Sequence, residues 1–111
     1  MENLHIYKNS IELVKEIYKL TYEPARLKND YSLVDQLRRA SVSIPANIAE
    51  GYFRTKKQFM NHLKISSGSA NEVIALLIIV QEVYKIDVSK TKSSYNVLRN
   101  QILALSNKLK K

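Results

Sequence analysis

Apolar residues return every three or four positions along nearly the whole chain, which is the period of an amphipathic helix. Leu4, Tyr7, Ile11, Val14 and Tyr18 form one stripe, and Ile6, Leu13, Ile17 and Leu20 form a second beside it. Together they predict a first helix over residues 4–22 with a broad apolar face. Glu23-Pro24 ends it, because the residue before a proline avoids the helical region. Leu33, Leu37, Ala40, Ile44 and Ile48 predict a second helix over 31–53, with Asp30 as N-cap. Thr55-Lys-Lys-Gln58 matches a capping box and opens a third helix over 56–85. Its core face is Phe59, Leu63, Ser66, Ala70, Val73, Leu77, Val80 and Tyr84 in unbroken 4-3 spacing. After a polar connection at 87–92, Tyr95, Leu98, Ile102, Leu105 and Leu109 predict a fourth helix over 92–110. This spacing favours near-parallel helix packing, so the fold class is all-α, an up-down-up-down four-helix bundle forming one domain.

Three features go beyond a plain bundle. Pro45 lies inside the second helix, where it removes a backbone donor and predicts a bend, at a cost of ~3 kcal/mol or more. Ile74-Ala-Leu-Leu-Ile-Ile-Val80 is apolar on every side. A four-helix protomer has no central helix to bury such a girdle, so a second subunit is its expected cover, with Leu76 and Ile79 as interface candidates. Ser66-Ser-Gly-Ser-Ala70 reads either as a close-approach site for Ala46, Ala49 and Gly51 or as a loop between two shorter helices.

The second helix carries a further stripe, Gln36, Arg39, Ser43, Asn47 and Glu50, flanked by small residues. Short hydrogen-bonding side chains mixed with one Arg and one Glu suit a face that packs closely and must satisfy the polar atoms it buries. Arg39, Ser43, Asn47 and Glu50 are therefore candidate oligomer-interface residues, with Glu50 pairing to Arg39 or to Arg38 of another helix or subunit.

The run Gln36-Leu-Arg-Arg-Ala-Ser-Val-Ser-Ile-Pro-Ala-Asn-Ile-Ala-Glu-Gly51, continued through Lys56-Lys-Gln-Phe59 and Gly68-Ser-Ala-Asn-Glu72, resembles the signature of the four-helix-bundle proteins encoded in intervening sequences of bacterial 23S ribosomal RNA genes. Relatives in that family serve as accessory proteins of reverse transcriptases in diversity-generating retroelements. The resemblance implies a bacterial protomer that assembles into a ring-shaped homo-oligomer, usually a pentamer, with no established reaction. His5 and Tyr22-Glu-Pro-Ala25 depart mildly from the family pattern.

The chain has 111 residues, no cysteine, and two each of glycine and proline. That excludes disulfide and thiolate chemistry and agrees with an all-helical fold. The N-terminus lacks the layout of a signal peptide, and no apolar run approaches the ~20 residues of a membrane span, so a cytoplasmic protein without a membrane partner is expected. The net charge of +8 is unevenly placed. Residues 1–50 hold seven basic and seven acidic side chains, whereas residues 51–111 hold eleven basic and three acidic ones. Such asymmetry suits a polyanionic partner, RNA or DNA, or else simple solubility.

Catalytic chemistry finds no constellation. His5 and His62 lack ligand spacing and read as a packed ring and a surface side chain respectively; no phosphate loop or nucleophile elbow occurs, and no metal or cofactor is expected. The best contact site is the Tyr52-Phe53-Arg54-Thr55-Lys56-Lys57 junction. Lys56 and Lys57 occupy a first helical turn, where the helix dipole disfavours cations, and an arriving phosphate would offset that cost. Tyr52 and Phe53 can stack on unpaired bases, but their position between two helices favours plugging the inter-helix corner. Arg54, Lys56, Lys57 and Lys64, with help from Arg38 and the C-terminal lysines, are the candidate nucleic-acid-binding residues. Two functions compete: a non-enzymatic, ring-forming nucleic-acid-binding accessory protein, and an interaction scaffold that docks a partner such as a reverse transcriptase.

Overall fold

The computed structural model describes residues 2–110, with side chains from Leu4 to Lys110. The chain folds into α1 (Glu2–Tyr22), α2 (Ala25–Lys28), α3 (Tyr31–Tyr52), α4 (Lys56–Tyr84) and α5 (Ser89–Leu109), with no strand among these residues. At 1.5 Å per residue the 29 residues of α4 span about 43 Å, close to the 46 Å long axis of the molecule, whose other axes are 20 and 19 Å. The four long helices therefore lie side by side as a bundle. Helix α3 packs on α1 and α4, and α5 packs on α4 and α1, while the diagonal pairs do not meet.

The start signals act as their sequences predict. Asp30 accepts from the Leu33 N–H at the head of α3. At the head of α4, Thr55 Oγ1 accepts from the Gln58 N–H, and Gln58 Oε1 accepts from the Thr55 N–H. Such caps satisfy donors that a helix leaves open, at about 1 kcal/mol each. Helix α4 ends on Lys85, whose φ of 56° places it in the left-handed region. Helix α5 begins earlier than expected, at Ser89, because the connection is only Lys85 to Val88 and Val88 is itself buried.

The core is built by the stripes from α3, α4 and α5. Leu37, Ile44, Leu63, Val73, Leu77, Tyr95, Leu98 and Ile102 are almost completely enclosed. Each large apolar side chain so buried contributes roughly 1.5–3 kcal/mol relative to exposure. In α1 the two stripes are unequal. Ile6, Leu13 and Ile17 enter the core, whereas Leu4 and Tyr18 remain exposed.

Three expectations need correction. Helix α2 adds an element that the periodicity does not predict; Pro24 precedes it, Leu27 buries in the core, and Arg26 Nη2 donates to the Tyr84 carbonyl at 3.0 Å. The Gly68 segment is not a loop, and its close approach to α3 is made by Ser66 and Ser69 at Ile44 and Ser43 rather than by Gly68 at Ala46, Ala49 and Gly51. Helix α4 runs straight through it, Gly68 faces outward, and a Cβ there would meet nothing within 4 Å. The tight approach is at Gly51, where a Cβ would lie 2.7 Å from His62 Cβ. Finally, α4 is long and apolar enough, by length and composition, to cross a membrane, with an 18-residue stretch of mean hydropathy 1.5. In the bundle its core face, Phe59 to Val80, is buried against α3 and α5.

Candidate nucleic-acid interface

Two members of the polar stripe of α3, Ser43 and Asn47, form a half-buried seam with α4, while Gln36, Arg39 and Glu50 stay exposed. Ser69 Oγ donates to Ser43 Oγ at 2.9 Å, Asn47 Nδ2 donates to the Ser43 carbonyl and hydroxyl, and His62 Nδ1 meets Asn47 Oδ1 at 3.0 Å. Since Asn47 spends its amide hydrogens on Ser43, its Oδ1 accepts and His62 Nδ1 carries the proton. Beside this chain, Ser66 Oγ donates to the Ile44 carbonyl at 3.0 Å in the buried interior, next to Pro45. Ser43 and Asn47, expected at an oligomer interface, thus hydrogen-bond within the protomer, to each other and to Ser69 and His62 of α4. The histidine expectations reverse: His62 is the packed ring and His5 is exposed.

The other interface candidates divide. Arg39 is exposed and faces Asp35 at 3.8 Å along its own helix. Glu50 binds Arg54, one turn on, rather than Arg38 or Arg39. Leu76 is only 7% exposed and belongs to the protomer core, so it has no surface to offer a partner. Ile79 is 45% exposed and points outward with Ile65, Ile78 and Val83. The girdle is therefore half core and half bare.

The cations gather by topology. Helices α1 and α5 run in opposite directions, as His5 lies beside Lys108 and Glu16 beside Ser93. Short connections reverse the chain between the remaining long helices. One end of the bundle consequently collects the close of α3, the first turn of α4 and the close of α5. Arg54, Lys56, Lys57, Lys108 and Lys110 all lie there, and Lys64 stands two turns along α4. Among the described side chains at this end, Glu50 is the one acid. Lys56, Lys57 and Lys64 are exposed, and among the described residues no hydrogen bond or ion pair engages their ammonium groups. Arg54 is compromised by Glu50. Arg38 is on the bundle side, donating through Nε to Thr21 Oγ1 at 3.0 Å and lying 4.5 Å over the Tyr18 ring, so it has a structural task.

The aromatic pair separates. Tyr52 is half-buried, 6.1 Å from the buried Phe59 ring and nearly perpendicular to it. Phe53 is 90% exposed, which overturns its assignment as a corner plug. The sequence signal was present: Phe53 falls on the Val42–Ala46–Ala49 face, opposite the core stripe.

No group of three or more His, Asp or Glu residues positioned for a metal occurs among the described residues. The shifted titrations lie away from the basic end. A hydrogen bond from Tyr84 and one from the Leu33 N–H hold the Asp30 carboxyl below its ordinary value, and the same bond to Asp30 raises the Tyr84 phenol. Burial, then the nearby Glu16 charge, pushes the Tyr95 phenol far up, so it is a protonated core group rather than a nucleophile.

Known proteins agree with this architecture. A crystal structure of a protein of unknown function from the S23 ribosomal protein family of Bacteroides thetaiotaomicron superposes with a TM-score of 0.85, over 96% of this chain and 99% of that one, at 21% identity. At that identity the likeness speaks for the fold. No curated protein matches in sequence. The family described as 23S rRNA-intervening sequence protein matches residues 2–111, the stretch that contains the Gln36–Gly51 signature, the seam and the basic end. The chain belongs to the 23S rRNA-intervening sequence protein family.

Proposed function

We propose that the protein is a non-enzymatic, ring-forming accessory protein that binds nucleic acid through the basic end of its bundle. The observation that carries this reading is the set of exposed, unpaired ammonium groups of Lys56, Lys57 and Lys64 beside Arg54 and the close of α5. Two of these lysines stand in the first turn of α4, against the local dipole, at about 0.3–1 kcal/mol each. A phosphate reverses that sign. In a ring, repeating the +8 protomer would multiply the field, so weak phosphate contacts would sum to a salt-sensitive affinity. Arg38 drops out of the binding set, because its guanidinium serves Thr21 and Tyr18.

The test is binding to RNA and to duplex DNA across a salt series. Affinity should fall steeply with added salt, with a slope of about −0.9 per phosphate contact on duplex DNA. Lys56→Glu with Lys57→Glu should flatten the slope and leave helicity intact. An unchanged slope would rule the basic end out. A second reading has its own support in the bare Ile65, Ile79 and Val83 surface, which suits an interaction scaffold that docks a protein such as a reverse transcriptase. It would take over if no nucleic acid binds at low salt.

A further inference from the structure

We infer that Phe53 is a stacking platform for an unpaired base, so that the basic end selects single-stranded nucleic acid, RNA or DNA, over duplex. This rests on the nucleic-acid reading of the basic end and adds its substrate class. Single exposed apolar residues are ordinary on protein surfaces. Phe53 differs in how it is held and in what surrounds it. It is the most exposed of the large apolar residues, ahead of Tyr31 at 77%. Its ring centroid lies 4.7 Å from that of Tyr52 with the two planes at 82°, and Tyr52 in turn lies 6.1 Å from Phe59 at 89°. Phe59 is buried in the core. A relay of three near-perpendicular aromatics therefore links the outermost ring to the core, in the arrangement that aromatic quadrupoles favour. At 90% exposure, Phe53 still keeps ring surface open to solvent.

The surroundings supply charge complementarity. Arg54, Lys56 and Lys57 follow within four residues, so a ring face and ammonium groups lie within a nucleotide or two of one another. Duplex offers phosphates to those cations, but its bases are already stacked on each other and give the ring nothing. An unpaired strand offers both a phosphate and a base face. Base–aromatic stacking corresponds to roughly 5- to 150-fold in affinity per base and tolerates any sequence.

The experiment compares the full chain, Phe53→Ala and Phe53→Trp, using fluorescently labelled oligothymidylate longer than about 16 nucleotides and a duplex of equal length. Phe53→Ala should weaken single-strand binding about tenfold, leave duplex binding within about twofold, and leave the salt slope unchanged, since no charge is lost. Phe53→Trp should restore affinity. Because the chain contains no tryptophan, that variant's emission reports the site alone, and the single strand, not the duplex, should quench it. Equal weakening of both ligands, an unaffected Phe53→Ala, or an unquenched Trp would each overturn the platform. A fall in assembly mass for Phe53→Ala would overturn it too, by placing the ring under a second copy. If the unmodified chain binds neither ligand at low salt, the nucleic-acid reading fails and the platform with it. Salt-dependent binding that ignores Phe53 removes only the platform.

Discussion

The two glycines carry opposite constraints, although each sits inside a helix that its sequence predicts. Alanine is favoured over glycine by about 1 kcal/mol in a helix interior. At Gly68 nothing opposes that preference, and Gly68→Ala should raise the melting temperature of the protomer. At Gly51 the added carbon would lie 2.7 Å from His62 Cβ and 3.0 Å from a Phe59 ring carbon, so α3 or α4 must shift. Overpacking of this kind costs about 1–3 kcal/mol and outweighs the propensity gain. Gly51→Ala should therefore melt earlier, and equal shifts for the two variants would contradict the packing described. Tyr95 supplies a second residue-scale test. Its ring is enclosed, and its hydroxyl has no protein hydrogen-bond partner among the described residues. An unsatisfied buried hydroxyl costs about 1–3 kcal/mol, so Tyr95→Phe should leave thermal stability unchanged or raise it. A clear drop would reveal a partner for that hydroxyl.

Whole elements were legible where their signals are local. Helix caps at Asp30 and Thr55, the proline stop after Tyr22, and the 3-4 stripes of α3, α4 and α5 depend on residues within a turn or two of each other. What the sequence could not show is pairing across helices. Ser43 and Asn47 look like an outward polar face until α4 brings Ser69 and His62 against them. Helix α2 is four residues long, too short to display a period, and is held from a distance. Tyr84 Oη donates to Asp30 Oδ2 at 2.6 Å, and Arg26 donates to the Tyr84 carbonyl, so one clamp ties α2 and the head of α3 to the close of α4. The folded Asp30 carboxyl lies below its ordinary value of 3.8, so its contribution is present above that pH and is lost as pH falls through the lowered value. The Tyr84 phenol lies above its ordinary 10.0, so its contribution holds below that pH and fades as pH rises through the raised value. Tyr84→Phe removes the bond from both groups. Its melting temperature, plotted against that of the unmodified protein, should differ most near neutrality and converge at both extremes. A constant difference across pH would mean that the clamp acts by packing alone.

At the scale of the whole molecule, the long bundle leaves one side of α4 without cover. Ile65, Ile79 and Val83 follow each other along that side, and Gly68 and Ala75 between them leave it low enough for a close neighbour. The sequence located this girdle but could not tell its inner half from its outer half, since Leu76 and Ile79 are a single turn apart and equally apolar. The bundle separates them at 7% and 45% exposure, and that difference makes the expected assembly testable. Leu76→Glu puts a carboxylate into the core, where an unpaired charge is strongly disfavoured, and should abolish cooperative unfolding. Ile79→Glu alters only the outer side, so helicity and the melting transition of the protomer should survive. If a second copy covers α4, sedimentation equilibrium of the unmodified protein should give a multiple of 12.8 kDa, and Ile79→Glu should reduce it toward 12.8 kDa. Gly68→Ala separates the alternatives further: it should stabilise an isolated protomer, but weaken an assembly that brings a neighbouring backbone onto α4. A mass of 12.8 kDa for the unmodified chain at micromolar concentration would mean that the bare side of α4 awaits a different protein, and a ring would then play no part in concentrating the charge of the basic end.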